Sequence, residues 1–488
     1  MIRLRAISAL LCLIVAAVAA AGPSSDELRQ DAIDAFARND FAAALEAYRA
    51  MPEVERRDGP TLYNMACAHA MLGDEDAAAE RLLDAISWGF VDLFHMTHDD
   101  HLDPLRDHPE YRRILAGWNE LLDSRGEADR DVLRDHFGEG YRYEADEQLR
   151  LSYASAFEPY AHEDAVKQIE GVAAWAEELG LFNADEEIQP TREDPWVMVI
   201  LPTTRDFQLL TRGVQIGGFY DRDRKRLVSR DIGPSLRHEF FHVLHWRDMD
   251  RRGQRHPLWI QEGLAAILED VVGEAPPDGE GWTPAPSWRT NIVRRLEKGG
   301  ALAKWRLFFE FDDRRFMNFR PSANYAQARA VFLYLLSEGK LVDWYRAYVA
   351  GFDEDASGVV AMEQAFGKPL RDVERDYRAW VRSIPEVAEI ARPGDASLGL
   401  QIGPGAGDGP VVAQVVAGSG RGGVGAERLR RRDVITAVDG ETVRTLDDLY
   451  RVLGEFEPGD EVALSVRRSG EPLEIRVRLV PHRNLLPQ

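Results

Sequence analysis

Residues 236–246 read LRHEFFHVLHW, and no other stretch of the 488-residue chain restricts its fold as tightly. His238 and His242 stand four apart, so on a helix both imidazoles project from one face, about one turn apart. That spacing suits two ligands of one tetrahedral metal ion, and Glu239 directly after the first histidine can project beside the same ion. A zinc ion that performs hydrolysis needs three protein ligands and an open position for water. The third must therefore come from outside the pair.

Three residues compete for that place. His245 lies seven residues after His238, about 10 Å along a helix axis. Ligand atoms sharing one zinc lie only about 3–4 Å apart, so His245 cannot join on a straight helix, and no glycine breaks the stretch VLHWRDMD to bring it round. His256 is a candidate, but it stands in a loop beside Pro257. Glu262 is better placed: PLWIQEGLAAILED (257–270) opens a second helix at Pro257, with Glu262 in its second turn.

HEFFH, nineteen intervening residues, then EGLA and Glu269 resemble the gluzincin zinc metallopeptidases, His-Glu-x-x-His followed by a glutamate helix. The likeness spans roughly residues 140 to 383, takes in GGFY (217–220) and YAQARAVFLYLL (325–336), and is strongest to peptidase-MA-like domains of bacterial envelope proteins. It implies an α+β, thermolysin-like metallopeptidase domain in which His238, His242 and Glu262 bind one Zn2+ per chain and Glu239 is the general base. Glu269 matches an acidic position that supports the ligands from behind; the same residue also reads as part of a solvated helix face. Gly217, Gly218, Phe219 and Tyr220 would line the edge of the substrate cleft, the glycines permitting close approach. Tyr325 would donate a hydrogen bond to the tetrahedral oxyanion, and it reads equally as a core tyrosine of an amphipathic helix. The Gly-x-Met-x-Asn strand of the aminopeptidase group is absent, which favours an endopeptidase.

Around this centre the chain is multidomain, as its length requires. Arg3 and Arg5 precede a 16-residue apolar run (6–21) that ends in small residues. It is shorter than the ~20 residues of a spanning helix. Residues 1–21 are therefore expected to be a signal peptide, sending the protein across the cytoplasmic membrane to a periplasmic or extracellular location, anchored if the signal stays uncleaved. Cys12 follows Leu11 inside that run, unlike a lipidated cysteine. Only Cys67 then remains, which excludes an internal disulfide or a cysteine metal cluster. No later segment approaches membrane-spanning length. A formal charge of −23 excludes a nucleic-acid partner.

Residues 25–120 read as paired helices. ARNDFAAALEAY (37–48) and MLGDEDAAAERL (71–82) align at an offset of 34, Asn39 with Gly73, Asp40 with Asp74 and Ala43 with Ala77. This resembles tetratricopeptide repeats, a region that packs on its neighbour or binds protein partners, with Cys67 a small packing residue. The metallopeptidase-like domain is expected over 125–385, and PEVAEIARPGDAS is a linker. Residues 393–484 alternate strands, one helix and glycine turns. With the LGL loop, RDVITAVDGETV and PGDEVALSVRR, they resemble a small β-rich PDZ domain, which binds peptide ends. That resemblance implies a groove lined by Leu398, Gly399 and Leu400 opposite Leu449, on a module tethered so as to hold substrate near the zinc without touching the chemistry.

The expected function is a secreted or periplasmic zinc metallopeptidase acting on envelope proteins or peptides. The alternative is a non-catalytic envelope scaffold with a structural or vestigial zinc site. Retention of Glu239 favours the enzyme, since zinc binding alone does not require it. A PDZ-bearing serine protease is disfavoured by the lack of a Gly-Asn-Ser-Gly-like nucleophile stretch.

Overall fold

The computed structural model describes residues 23–182, 193–212, 214, 216–276, 281–387, 395–403, 405, 409–414 and 425–482. The expected signal peptide and residues 388–394 of the expected linker lie outside the described residues. The chain is multidomain and divides into two compact units, 1–129 with 191–196, and 130–190 with 197–488. Among the described residues no helix is long and apolar enough to cross a membrane.

The first unit is helical. Helices α1 (Ser25–Ala37), α2 (Phe41–Ala50), α3 (Gly59–Met71) and α4 (Glu75–Ser87) enclose a core of Leu45, Tyr48, Leu62, Leu82 and Ile86. The 34-residue offset has a physical counterpart at the two turns. Asn39 and Gly73 both take positive φ, 58° and 77°. Asp40 then caps α2 through the amide of Ala43, and Asp74 caps α4 through that of Ala77. Cys67 is buried and its thiol is pushed up by desolvation, which keeps it protonated and inert.

In the second unit, β1 (Arg142–Asp146) and β2 (Leu151–Ser155) lead into helix α5 (Pro159–Leu179), then β3 (Val197–Leu201) and the hairpin β4 (Gly218–Asp221) and β5 (Arg226–Ser229). The five strands form one sheet in the order β1-β2-β3-β5-β4. β3 pairs in parallel with β2 and β5, while β1 and β4 run antiparallel at the two edges. β1 escapes sequence reading because RYEAD is mostly polar, and its residues are half-buried or exposed at the sheet edge. All five residues of β3, VMVIL, are buried.

After the sheet come α6 (Pro234–Arg252), α7 (Leu258–Ala265), α8 (Trp288–Lys298) and α9 (Pro321–Ser337), followed by helices to Ser383. Pro234 occupies the first turn of α6, where it costs no hydrogen bond. Ser235 does not cap the helix; the Asp231 carboxylate instead accepts the amides of Gly233 and Ser235. Leu236, Phe240, Phe241 and Val243 of α6 belong to a core that also contains Leu227, Trp259 and Phe332. The C-terminal region has a separate core and a β-rich fold: β6 (Gln401–Gly403), β7 (Val411–Gln414), β8 (Val434–Val438), helix α10 (Leu446–Leu453), β9 (Glu461–Arg468) and β10 (Glu471–Arg478), in the sheet order β10-β9-β8-β7-β6.

His245 and His256, both set aside or ranked lower as ligands, meet each other in the interior. His245 is 0% and His256 3% exposed. Gln254 Nε2 donates to the Val349 carbonyl at 2.8 Å, which turns Gln254 Oε1 toward His256 Nε2 at 3.1 Å. His256 Nε2 is then the donor, and its Nδ1 accepts from His245 Nε2 at 2.8 Å. Both rings are neutral. Burial pushes His245 well below its ordinary pKa and His256 down to about 3, the latter helped by Arg252 and Arg255.

An unfolded imidazole binds a proton below about pH 6.5, where these two do not. Their contribution to stability is therefore whole above pH 6.5 and is lost as pH falls toward the folded values, by about 2 kcal/mol at pH 5 for His256. Thermal unfolding at pH 7.5 and pH 5 should show a smaller acid-induced drop in Tm for a His245→Leu/His256→Leu double variant than for the wild type. An equal drop in both would refute this account.

Candidate metal centre

Helix α6 buries its apolar face, which leaves His238, Glu239 and His242 on the side that lines a cleft of about 640 Å³. Glu262 comes from α7. Gly263 brings that helix in close: a Cβ there would lie 2.5 Å from the Phe332 ring and 2.9 Å from the Ala328 carbonyl of α9. The glycine after the glutamate is thus a packing requirement.

The three side chains converge on one point. His238 Nε2 lies 3.1 Å from His242 Nε2 and 3.3 Å from Glu262 Oε2, and His242 Nε2 lies 3.8 Å from Glu262 Oε2. Four tetrahedral bonds of about 2 Å hold ligand atoms about 3.3 Å apart, so His238, His242 and Glu262 fit a zinc-sized ion and form a group that could hold a metal. The electrostatics agree. Burial opposes charge on His238, yet the carboxylates of Glu262 and Glu269 hold its pKa well above the ordinary value. Glu262, despite burial, is held far below its own by the two histidines.

Glu269 is buried, 8% exposed, so the solvated-face reading does not hold. Its Oε1 lies 2.9 Å from His238 Nδ1, the nitrogen turned away from the convergence point. Arg289 of α8 clamps the same carboxylate with Nε at 2.5 Å and a terminal nitrogen at 3.0 Å. Glu269 also lies beyond α7, after a short 3-10 turn (Ala266–Leu268), which re-aims it toward the histidine. Two further arginines hold this segment. Arg237 donates to the carbonyls of Leu268 (2.6 Å) and Glu269 (2.7 Å) and to Gln168 Oε1 (2.6 Å). Arg329, fully buried, donates to the carbonyls of Ala266 (2.7 Å) and Ala285 (3.0 Å). Sequence reasoning missed all three. The available signal was that Arg237 and Arg329 sit among core residues of their helices, where an unpaired cation is untenable.

Glu239 faces the cleft, and burial raises its carboxyl pKa against the pull of His238 and His242. Beside it runs edge strand β4. Gly217 and Gly218 are there for contact: a Cβ on Gly217 would lie 1.9 Å from Ser235 Oγ, and one on Gly218 would lie 3.0 Å from Glu239 Cγ. Phe219 and Tyr220 line the same cleft, as does Tyr325, whose hydroxyl lies 3.3 Å from Met317 Sδ. Desolvation raises the Tyr325 pKa, so it is a neutral hydrogen-bond donor.

The C-terminal region departs from the sequence reading in two ways. Leu398 and Leu449 are 2% and 1% exposed and belong to its core instead of facing a groove, because so small a domain needs the apolar stripe of α10 to close it. Gly399, at φ 67°, and Leu400 stay half-exposed, and the Gly399 amide donates to Ser397 Oγ at 3.3 Å. Strand β6 follows at the sheet edge. The region is also not a detached module, since Thr445 lines the cleft that holds His238 and Glu239.

Comparison with known proteins adds the following. No curated protein matches the chain. A solved structure similar to it is an aminopeptidase N family protein from Idiomarina loihiensis, 14% identical, with 70% of this chain and 67% of that one covered at a TM-score of 0.25. A score that low fixes neither fold nor activity for this chain. The PDZ domain family matches residues 396–479, and that C-terminal segment is a PDZ domain.

Proposed function

We propose that the protein is a zinc-dependent peptidase of gluzincin type that hydrolyses internal peptide bonds of envelope proteins or peptides after export. The observation that carries this reading is the convergence of His238, His242 and Glu262 at separations of 3.1–3.8 Å, with Glu239 lining the same cleft beside an edge strand. A bound zinc ion supplies Lewis acidity toward the scissile carbonyl and toward the attacking water.

The rest falls to the chain's own groups. The open edge of β4 pairs with an extended substrate backbone, and the glycines let the strand itself pack against Ser235 and Glu239, so that the paired backbone runs beside the base. Glu239 takes the proton of the attacking water and passes it to the leaving amine; its raised pKa suits a group that must both accept and release a proton. Tyr325 donates to the oxyanion. Glu269, clamped by Arg289, keeps His238 oriented with Nε2 toward the ion. The PDZ domain supports recognition of peptide or protein ends, and the helical N-terminal region, with its repeated capped turn, is read as a tetratricopeptide-like surface for protein partners. Residues 1–21 are read as the export signal. A scaffold with a vestigial site is the weaker reading, because Glu239 stands in the cleft where a general base is needed and no metal ligand is.

Purified protein should contain about one zinc per chain, and His242→Ala and Glu262→Ala should each lose it. Zinc retained in both variants would dismiss the ligand set. With Glu239→Gln, metal content and fold should persist while kcat on an internally quenched peptide library falls about 10²–10⁴-fold; unchanged turnover would exclude Glu239 as base. Glu269→Gln should weaken zinc about 10–100-fold, measured by competition with a chelating dye. An unaltered affinity would mean that Glu269 does not support His238.

A further inference from the structure

One row of α5 carries three arginine contacts at successive turns. Tyr160, Asp164 and Gln168 stand four apart and so share a face. Arg467 of PDZ strand β9 lies over the Tyr160 ring, its guanidinium carbon 4.1 Å from the centroid. Arg444 pairs with both oxygens of Asp164, at 2.6 and 3.3 Å. Gln168 receives Arg237, the residue before ligand His238. Two separate PDZ elements therefore grip the helix that braces the metal helix. Two points on one face fix an orientation where a single tether would not.

The gripping segment is itself stiff. The Asp448 carboxylate accepts the amides of Arg444 (3.0 Å) and Thr445 (2.9 Å), while Thr445 Oγ1 caps α10 by accepting the Asp448 amide (3.1 Å). With Arg444 bound to Asp164, Thr445 is held in the wall of the cleft that contains Gly218, Glu239 and Tyr325. Behind this wall lies a polar cavity of about 390 Å³ lined from both sides, by Lys167, Arg237 and Glu274 on one and Glu441, Arg444 and Arg451 on the other. Charged residues outnumber the apolar ones in this seam, where Val271, Val272 and Trp282 also stand, and polar contacts of this kind between domains part more readily than a dry apolar interface.

We propose, building on the peptidase reading above, that the PDZ domain is a wall of the metal cleft latched by Arg444–Asp164, and that Arg444 is a specificity-determining residue that restricts the cleft to single extended polypeptide chains. When the latch opens, Thr445 leaves the wall and bulkier substrates enter. The latch joins half-exposed charges, so it weakens as salt rises.

The test uses the full-length, zinc-loaded protein and three variants: Arg444→Asp, Asp164→Arg, and the charge swap carrying both. Amide hydrogen exchange over residues 159–168 and 442–448 reports docking independently of catalysis. Each single variant should exchange faster in both segments, and the swap should return toward wild type. Unchanged exchange in Arg444→Asp, or a swap no better than the singles, would overturn the latch. For the specificity arm, kcat/KM is compared for a short unstructured peptide and the same sequence displayed on a folded protein. The single variants should shift this ratio at least about fivefold toward the folded substrate, and the swap should restore it; an unshifted ratio with faster exchange would overturn the role of Arg444 in selection. Glu239→Gln separates the two readings, since turnover insensitive to that change rejects the peptidase while the exchange data still decide the latch.

Discussion

Helix α6 must satisfy two environments at once. Leu236, Phe240, Phe241 and Val243 commit one face to the main hydrophobic core, and that commitment leaves a single direction in which His238, Glu239 and His242 can point. Because core packing tolerates little rotation, the orientation of the ligands is set by apolar residues that never touch the site. The sheet contributes at its edge: β4 brings Gly217 and Gly218 against Ser235 and Glu239, a contact that side chains at those positions would forbid. Gly263 does the same for Glu262 by letting α7 close on α9. Small residues thus draw three elements together, and the close approach makes a metal-sized gap.

Burying so much charge is costly unless each group is matched, and the site is held by such matching. Arg237 and Arg329 donate to the backbone carbonyls of Ala266, Leu268, Glu269 and Ala285, which holds the turn that carries Glu269. Arg289 then balances the Glu269 carboxylate, leaving one of its oxygens near His238 Nδ1. His245, farther along α6, and His256, in the loop that follows, take the opposite strategy. His245 and His256 stay neutral and satisfy each other, with only His245 Nδ1 left bare. Helix α6 therefore carries two histidines with carboxylate neighbours and one, His245, that its surroundings keep neutral.

The PDZ domain has its own core and its own sheet, and it meets the domain of the candidate metal centre through the Arg444–Asp164 ion pair, the Arg467–Tyr160 cation–π contact and a cavity lined mostly by polar residues. Arg444 and Arg467 hold that arrangement, which brings Thr445 into the wall of the cleft.

By itself the sequence determined the local chemistry. Helical periodicity put His238 and His242 on one face, Pro257 and Glu262 marked a second helix, the 34-residue offset marked paired helices with Asp40 and Asp74 at equivalent places, and the turn and strand pattern after residue 393 marked the PDZ domain. These are properties of neighbours in the chain, and spacing alone encodes them. What lay beyond reach was every relation between residues distant in sequence. The distances from Glu262 to the two histidines, the Arg289 clamp on Glu269, the pairing of His245 with His256 and the entry of Thr445 into the metal cleft exist only once separate elements pack. Leu398 and Leu449 make the same point in reverse: a pattern that suggests a groove cannot say that a small domain needs those leucines for its core. Only the tertiary structure decided these, because burial and long-range charge pairing are set by the whole fold and leave no periodic trace along the chain.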